Sequence, residues 1–517
     1  MKDWTDVAIA LPTFVNVAFA FAFGACAGSF VHVAAYRVPL GISVVSPPSR
    51  CPTCGFRLPW YDNVPIIAYL RLRGRCSACG VRIPSRYLWS EVAMGLLYAF
   101  AVAVLTLPVR GTAWYEVGHG WWAEQGLVHG MPAFLAVFTG LAALAAMTAT
   151  DARSYLIPVA IPTFATVAAF LLWPLAAVLQ REGSPAFPLE VPSWPACVAA
   201  LGALAGLGIG RVLLAAAVLP RSFADWDDFA EHAGDVGADY PYARREMVKE
   251  VAFIGPAVLL ALGGWAFAPH IPHEGALPAA LGAFFAVATG FLVGGAIVWA
   301  LRIVATLLLD AEALGLGDVH LMACVGAVFG WKVAAAGFLV APFVGLAWWL
   351  VNLWREAPMR VPYGPSLAVG SVVAWLLKPV LAALIAWALA VMADLGGHAR
   401  SSPGEALGVC LVLAVASTVC ASVARRSGGG AAAGAIVLML AAVVGWVLSA
   451  PARPGLGAGI GAGIVGLSLL GSVLCGSWLE EEPGPRTALR RILRVLAFAV
   501  VAAGVFVLVA RPAAGNP

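Results

Sequence analysis

Apolar runs of about 20 residues, separated by short polar stretches, recur along the whole chain. At 1.5 Å per residue each can cross the hydrocarbon core of a bilayer as a helix. The runs lie at 7–35, 89–108, 131–150, 157–179, 196–219, 251–269 and 279–309. A double run, 321–354, divides at Trp331 and Lys332 into a short helix ending at Gly330 and a return helix, and 366–392 follows. A tail adds runs at 404–424, 431–448, 455–475 and 492–510. The pattern predicts an all-α polytopic membrane protein with about 13 membrane segments of ~20 residues each. The first run lacks the short core and small-residue cleavage site of a signal peptide, so it reads as a retained helix.

The polar stretches orient these segments. Residues 36–88 hold eight arginines (Arg37, Arg50, Arg57, Arg71, Arg73, Arg75, Arg82 and Arg86) and one acid, Asp62. Positive charge favours the inner side, so this loop is predicted to be cytoplasmic and the N-terminus outside. Residues 109–130, with Trp114, Trp121 and Trp122, read as an outer interfacial loop, and the Pro-rich 180–195 as another outer loop. The segment 220–250 opens with a cluster of acids, ends with mixed charge, falls inside by parity and reads as a solvated loop with an amphipathic entry into the helix at 251. The resulting organisation is a first helix (1–35), a cytoplasmic cysteine-bearing loop (36–88), helices carrying Asp151 (89–219) and a polar insert (220–250). A membrane core (251–395) and a C-terminal extension (396–517) complete it.

Composition agrees. Of 517 residues 62% are hydrophobic and 11% charged, against roughly a quarter charged in soluble domains. A net charge of +4, with the arginines already accounted for by topology, predicts no nucleic-acid partner. The G-x-G-x-x-G of residues 461–466 follows no strand and reads as small-residue helix packing, as do Gly290 and Gly294.

Four of the ten cysteines are paired as C-x2-C-x21-C-x2-C: Cys51, Cys54, Cys76 and Cys79. Two such knuckles supply a tetrahedral thiolate shell with no open position, the pattern of structural zinc in a small zinc-ribbon-like loop. A reducing cytoplasm argues against disulfides here.

The second constellation joins Asp151 and Asp318, both expected at inner ends of membrane segments. Asp318 closes the stretch GLGD, where Gly315 and Gly317 allow a tight turn and close approach of another chain. A carboxylate in that place is either a helix N-cap or a working group. Two carboxylates held together cannot both ionise easily. The charged one can activate water, and the protonated one can polarise a carbonyl and protonate a leaving amine. Asp310 and Glu312 compete for the second position.

With these residues in place the chain resembles the type IV prepilin peptidases, membrane aspartic proteases of the GxGD type. The likeness is carried by GSFVHVAAYRVP (28–39), the tetra-cysteine loop with WYDNVP (60–65), RYLWSE (86–91), Asp151 with LIP (156–158), EALGLGD (312–318) and PYGP (362–365). The resemblance implies an inner-membrane endopeptidase that removes the basic leader of type IV prepilins or type II secretion pseudopilins on the cytoplasmic side. It further implies that the cut follows a Gly and that Asp151 and Asp318 form the catalytic pair. It also implies N-methylation of the new terminus with S-adenosylmethionine, which the cysteine-rich loop favours, although no residue pattern locates the methyl donor.

The sequence departs from that family at Val159, where an Asp is frequent, and at His320, where a Lys is common. His320 either tunes Asp318 when protonated or is an interfacial His without a role. Rival readings are a GxGD peptidase for another single-span substrate and a non-catalytic assembly protein. A transporter would place its acids within the spans rather than at their ends.

Overall fold

Helical periodicity dominates the structure, a computed structural model. It describes residues 2–380 and 383, apart from 108–109, 113–114, 155, 226–239, 241, 274, 310–311, 313 and 355–362. The chain divides into two compact units, Met1–Pro379 and Val380–Pro517. The second, including the four tail runs and the G-x-G-x-x-G, lies almost wholly outside the described residues, as do Asp310 and most of the polar insert.

Twelve α-helices are described: α1 (Lys2–Arg37), α2 (Ile67–Arg71), α3 (Arg86–Thr106), α4 (Gly120–His129), α5 (Met131–Ser154) and α6 (Ala160–Leu179). They continue with α7 (Trp194–Ala215), α8 (Ala243–Phe267), α9 (Ala279–Leu309), α10 (Leu316–Phe329), α11 (Trp331–Trp354) and α12 (Tyr363–Leu376). Eight helices among the described residues are long and apolar enough to cross a membrane, and α10 and α12 are shorter apolar helices. The protein is a multi-pass, all-α membrane protein. Exposed Leu, Val and Phe side chains on α1, α6, α7 and α8 are what a lipid-facing surface requires, because lipid tails are as apolar as they are.

Packing puts α10 at the centre. It lies against α9 along its length and also touches α5, α6, α11 and α12. Small residues let two backbones meet. A Cβ on Gly290 would sit 2.0 Å from the Gly326 carbonyl oxygen, one on Gly294 2.2 Å from that of Met322, and one on Gly326 1.9 Å from that of Gly290. The Gly290/Gly294 pair is thus an interhelical contact surface. α10 ends at Gly330, whose φ of +91° favours glycine. The double run therefore breaks there, one residue before the expected position.

Two expectations are corrected. Residues 109–130 are not a simple interfacial loop: α4 folds inward and buries Trp121 and Trp122. Trp122 packs on Phe134 and Trp173, and the Trp121 indole N–H donates to Gln180 at 2.9 Å. A large ring whose single donor finds a protein partner gains more from burial than from an interface. The Trp173 indole N–H in turn donates to the Val328 carbonyl at 3.0 Å, holding the end of α10. The helix expected at 251–269 begins earlier, at Ala243. Its polar first turns bury Ala243, Glu246, Met247 and Glu250, one inward face at helical spacing.

Candidate active site

The cysteine loop is built from two copies of one knuckle. In the first, the Cys51 N–H donates to Phe56 and the Gly55 N–H to Cys51, both at 2.9 Å; in the second, Cys76 donates to Val81 at 2.9 Å and Gly80 to Cys76 at 3.0 Å. An isolated antiparallel bridge closes each, Arg50 with Arg57 and Arg75 with Arg82. All four sulfurs lie within 4.8 Å of one another, and Cys51 and Cys79 are 3.9 Å apart. Metal–sulfur bonds of ~2.3 Å in a tetrahedron put sulfurs about 3.8 Å apart, so the cluster fits a metal ion held by four thiolates. Backbone hydrogen bonds from Cys54 and Thr53 hold the Cys51 thiol down to about 6, favouring the thiolate that a metal takes.

The acids of the neighbouring motifs hold this loop. Asp62, from WYDNVP, is buried, pairs with Arg71 and accepts from the Ser77 hydroxyl at 2.8 Å, tying the loop to the second knuckle. Glu91, from RYLWSE, is buried on α3 and accepts from the Ile66 N–H at 2.7 Å, where Ile66 is forced to a φ of +64°. The loop therefore sits at the α1/α3 end to which α5 returns: Arg153, beside Asp151, is near enough to His32 for its charge to act there.

Asp151 and Asp318 come together at that end. Asp151 is buried in the last turn of α5 and accepts from the Gly364 N–H at 3.1 Å. Asp318 is buried in the first turn of α10, and the charge of Asp151 acts on it. Ile157, from the LIP motif, is the packing element they share. A Cβ on Gly317 would sit 2.9 Å from Ile157 Cβ, and one on Gly364 would sit 3.3 Å from Ile157 Cδ1 and 2.6 Å from Asp151 Oδ2. Three motifs, Asp151 with LIP, GLGD and PYGP, thus meet around one side chain. Tyr363, at the start of α12, is close enough to feel the Asp318 charge.

The structure refines several sequence readings. The N-cap of α10 is Gly315, not Asp318, and the Asp318 N–H donates back to the Gly315 carbonyl at 3.2 Å. Gly315 has ordinary extended angles (φ −70°, ψ 145°), so only Gly317 is required to be small, by Ile157. Glu312 is engaged elsewhere, paired with Arg302 at 2.6 Å. His320 turns to its own helix, with Nδ1 2.8 Å from the Leu316 carbonyl oxygen. Val159 is 50% exposed at the start of α6. The neighbour that Asp151 does have is the Gly364 amide.

Gly364 and Arg302 escaped the sequence reading. PYGP enters the sequence reading only as a motif of the resemblance, yet it presents an N–H from the first turn of α12 to Asp151. Arg302 is a lone charge inside an apolar run, and that alone signals a buried partner.

Comparison with known proteins gives the same direction. Residues 22–105 match the family model of the bacterial peptidase A24 N-terminal domain. A Myxococcus xanthus protein named prepilin leader peptidase/N-methyltransferase is 51% identical over 80 residues, 16% of this chain and 24% of its own length. A Burkholderia pseudomallei protein of the same name is 25% identical over 393 residues, 70% of this chain and 85% of its own. A third of that name, from Bacillus subtilis, is 38% identical over 81 residues, 16% of this chain and 33% of its own. No solved structure matches the chain.

Proposed function

We propose, from the chain's similarity to the prepilin leader peptidase/N-methyltransferases, that it is a membrane aspartic endopeptidase that removes the basic leader of prepilins or pseudopilins. Its site faces the cytoplasm from the inner membrane, and it also methylates the new N-terminal amine with S-adenosylmethionine. The observation that carries this reading is the convergence of two buried carboxylates, Asp151 and Asp318, from separate helices at the end of the bundle that bears the Arg-rich loop. That loop supports a cytoplasmic face through the positive-inside rule.

In the proposed step, the ionised carboxylate takes a proton from water as the oxygen attacks the scissile carbonyl carbon. The protonated carboxyl hydrogen-bonds the carbonyl oxygen as it gains charge. The tetrahedral intermediate collapses as a carboxyl proton passes to the leaving nitrogen, and the C–N bond breaks. The Gly364 N–H fixes one oxygen of Asp151, which leaves the other free to face Asp318 or water. The reading is tested with purified protein in nanodiscs and a synthetic prepilin leader peptide. The expected products are fragments split after the leader Gly, and, with S-adenosylmethionine present, a mature fragment heavier by one methyl group. An uncut peptide would move the non-catalytic assembly reading to first place.

Two further outcomes belong to this reading. In Gly364→Ala the added methyl would press on Asp151 Oδ2. Cleavage should fall about 100-fold, because displacing a reacting group by ~1 Å costs that much, while the melting temperature holds. Unchanged cleavage would detach Gly364 from the site.

The four cysteines would hold zinc as an ion that orders the loop. Elemental analysis should find one zinc per chain in the native protein and none in Cys51→Ser/Cys76→Ser. Limited proteolysis should then cut the variant within residues 36–88, since ligation energies of roughly 10–16 kcal/mol go into folding such small domains. A variant as protease-resistant as the native protein would contradict the role.

A further inference from the structure

Arg302 lies in the apolar α9 yet is 1% exposed. A buried guanidinium must have its donors satisfied and its charge met. Its Nε and Nη2 donate to Glu250 of α8, at 3.2 and 3.0 Å, and that carboxylate also accepts from the Trp299 indole at 2.7 Å. Its Nη1 donates to Glu312 Oε1 at 2.6 Å and to the Leu314 carbonyl. Both of these acceptors lie on the stretch leading into α10, and Asp318 follows Leu314 by four residues. A single rigid side chain therefore joins α8, α9 and the start of α10.

The same guanidinium faces the root of the polar insert, with Cζ 5.4 Å from the Phe223 ring centroid. The Phe223 N–H donates to Glu246 Oε2 at 2.6 Å, and Glu246 also holds Lys249 at 2.8 Å. Tyr240, at the other end of the insert, packs on Phe223 with centroids 5.2 Å apart and donates to Asp225 at 2.6 Å. Phe223 and Asp225 are thus joined to Tyr240 beside Arg302.

We infer that Arg302 is a positioning residue for the cleavage site: it fixes the 312–318 turn that presents Asp318 and ties that turn, through Glu250 and Phe223, to the root of the 220–250 insert. The role rests on the aspartic-peptidase reading, while its geometry does not. The planar fork matters, because three acceptors on two elements need donors in fixed directions, and an ammonium is a point charge that cannot span them. It also explains why Glu312 is no rival to Asp318, since its charge is already engaged.

The test uses full-length protein in nanodiscs, with Arg302→Gln, Arg302→Lys, Glu312→Gln and, as a control, Asp318→Asn. Two quantities are read: kcat and KM for the leader peptide, and amide hydrogen exchange of residues 312–318. Arg302→Gln should lower kcat about 30-fold or more with KM within about threefold, since geometry and not substrate affinity is lost. Its 312–318 amides should exchange faster while those of α5 do not change.

Arg302→Lys should recover only part of kcat, and Glu312→Gln should loosen the turn with a loss of about tenfold. Asp318→Asn should lose cleavage with normal protection of the turn, which separates chemistry from positioning. Unchanged exchange and kcat in Arg302→Gln would overturn the inference. If that variant does not fold, the same pair of null results in Arg302→Lys and Glu312→Gln would overturn it. If the wild type cuts nothing, the peptidase reading fails, and the exchange arm alone still decides whether Arg302 holds the turn.

Discussion

Asp151→Asn and Asp318→Asn should each slow leader cleavage by about 10³-fold, within the range of 10²–10⁴ that a positioned acid or base contributes. Both proteins should stay folded. Asn has nearly the same shape as Asp, and at position 151 its carbonyl oxygen can still accept the Gly364 N–H. At 318 the change removes an ionisable group from a buried place next to another carboxylate, so it relieves a cost of folding. What each loses is proton transfer, because an amide neither takes a proton from water nor gives one to the leaving nitrogen. The matching change at Glu312 should be far milder, since that carboxylate is paired with Arg302 rather than aimed at the site. Rates from single turnovers, with melting temperatures alongside, check the prediction. Near-native cleavage in either Asn variant would remove that residue from the chemistry.

The second large effect should come from a residue that is distant from both carboxylates. Gly290→Ala places its methyl carbon 2.0 Å from the Gly326 carbonyl oxygen. The obstacle is helix backbone, which has no rotamer to move into, and the reciprocal contact at Gly326 is equally tight. Overpacking of this kind costs about 1–3 kcal/mol and occasionally more. α10 would have to leave α9, and Asp318 rides on α10 roughly 12 Å from the contact, eight residues at 1.5 Å each.

Melting temperature and cleavage should therefore fall together, unlike in the Asp variants. Gly208→Ala is the matched control: nothing lies within 4 Å of its added Cβ, and it is exposed on α7. It should be neutral or slightly stabilising, because Ala is the better helix former. Equal behaviour of the two variants would show that the α9–α10 contact is not tight.

Much of this architecture was legible in the chain because membrane helices announce themselves by local composition. The apolar run 279–309 became α9 without adjustment, and 321–354 became a short helix, a glycine break and a return helix. That Asp151 and Asp318 fall at the same end of the bundle needed only parity of spans, and the clustering of the four cysteines only their spacing. Tertiary partners were not legible, since nothing local says that Glu250 and Glu312 meet at Arg302. Nor does PYGP show, by itself, that its glycine amide reaches Asp151.

The tryptophans of 109–130 misled for a related reason. Trp is at home both at a membrane interface and in a core that satisfies its N–H, and the partners that decide, Gln180 and the aromatic ring of Trp173, lie far along the chain. The amphipathic entry expected ahead of 251 proved to be the first two turns of α8 itself; its helical spacing was legible, but the neighbours that bury Glu246 and Glu250 were not.

The central claim is that Asp151 and Asp318 act as one unit, and a double-mutant cycle tests it most directly. Single-turnover cleavage of the leader peptide is measured for wild type, Asp151→Asn, Asp318→Asn and the double variant, all folded and in the same nanodiscs. Groups that work together are strongly non-additive, so the double variant should be about as slow as the slower single one. Two losses that simply multiply would contradict the account, because they would describe two independent contributions rather than one shared site.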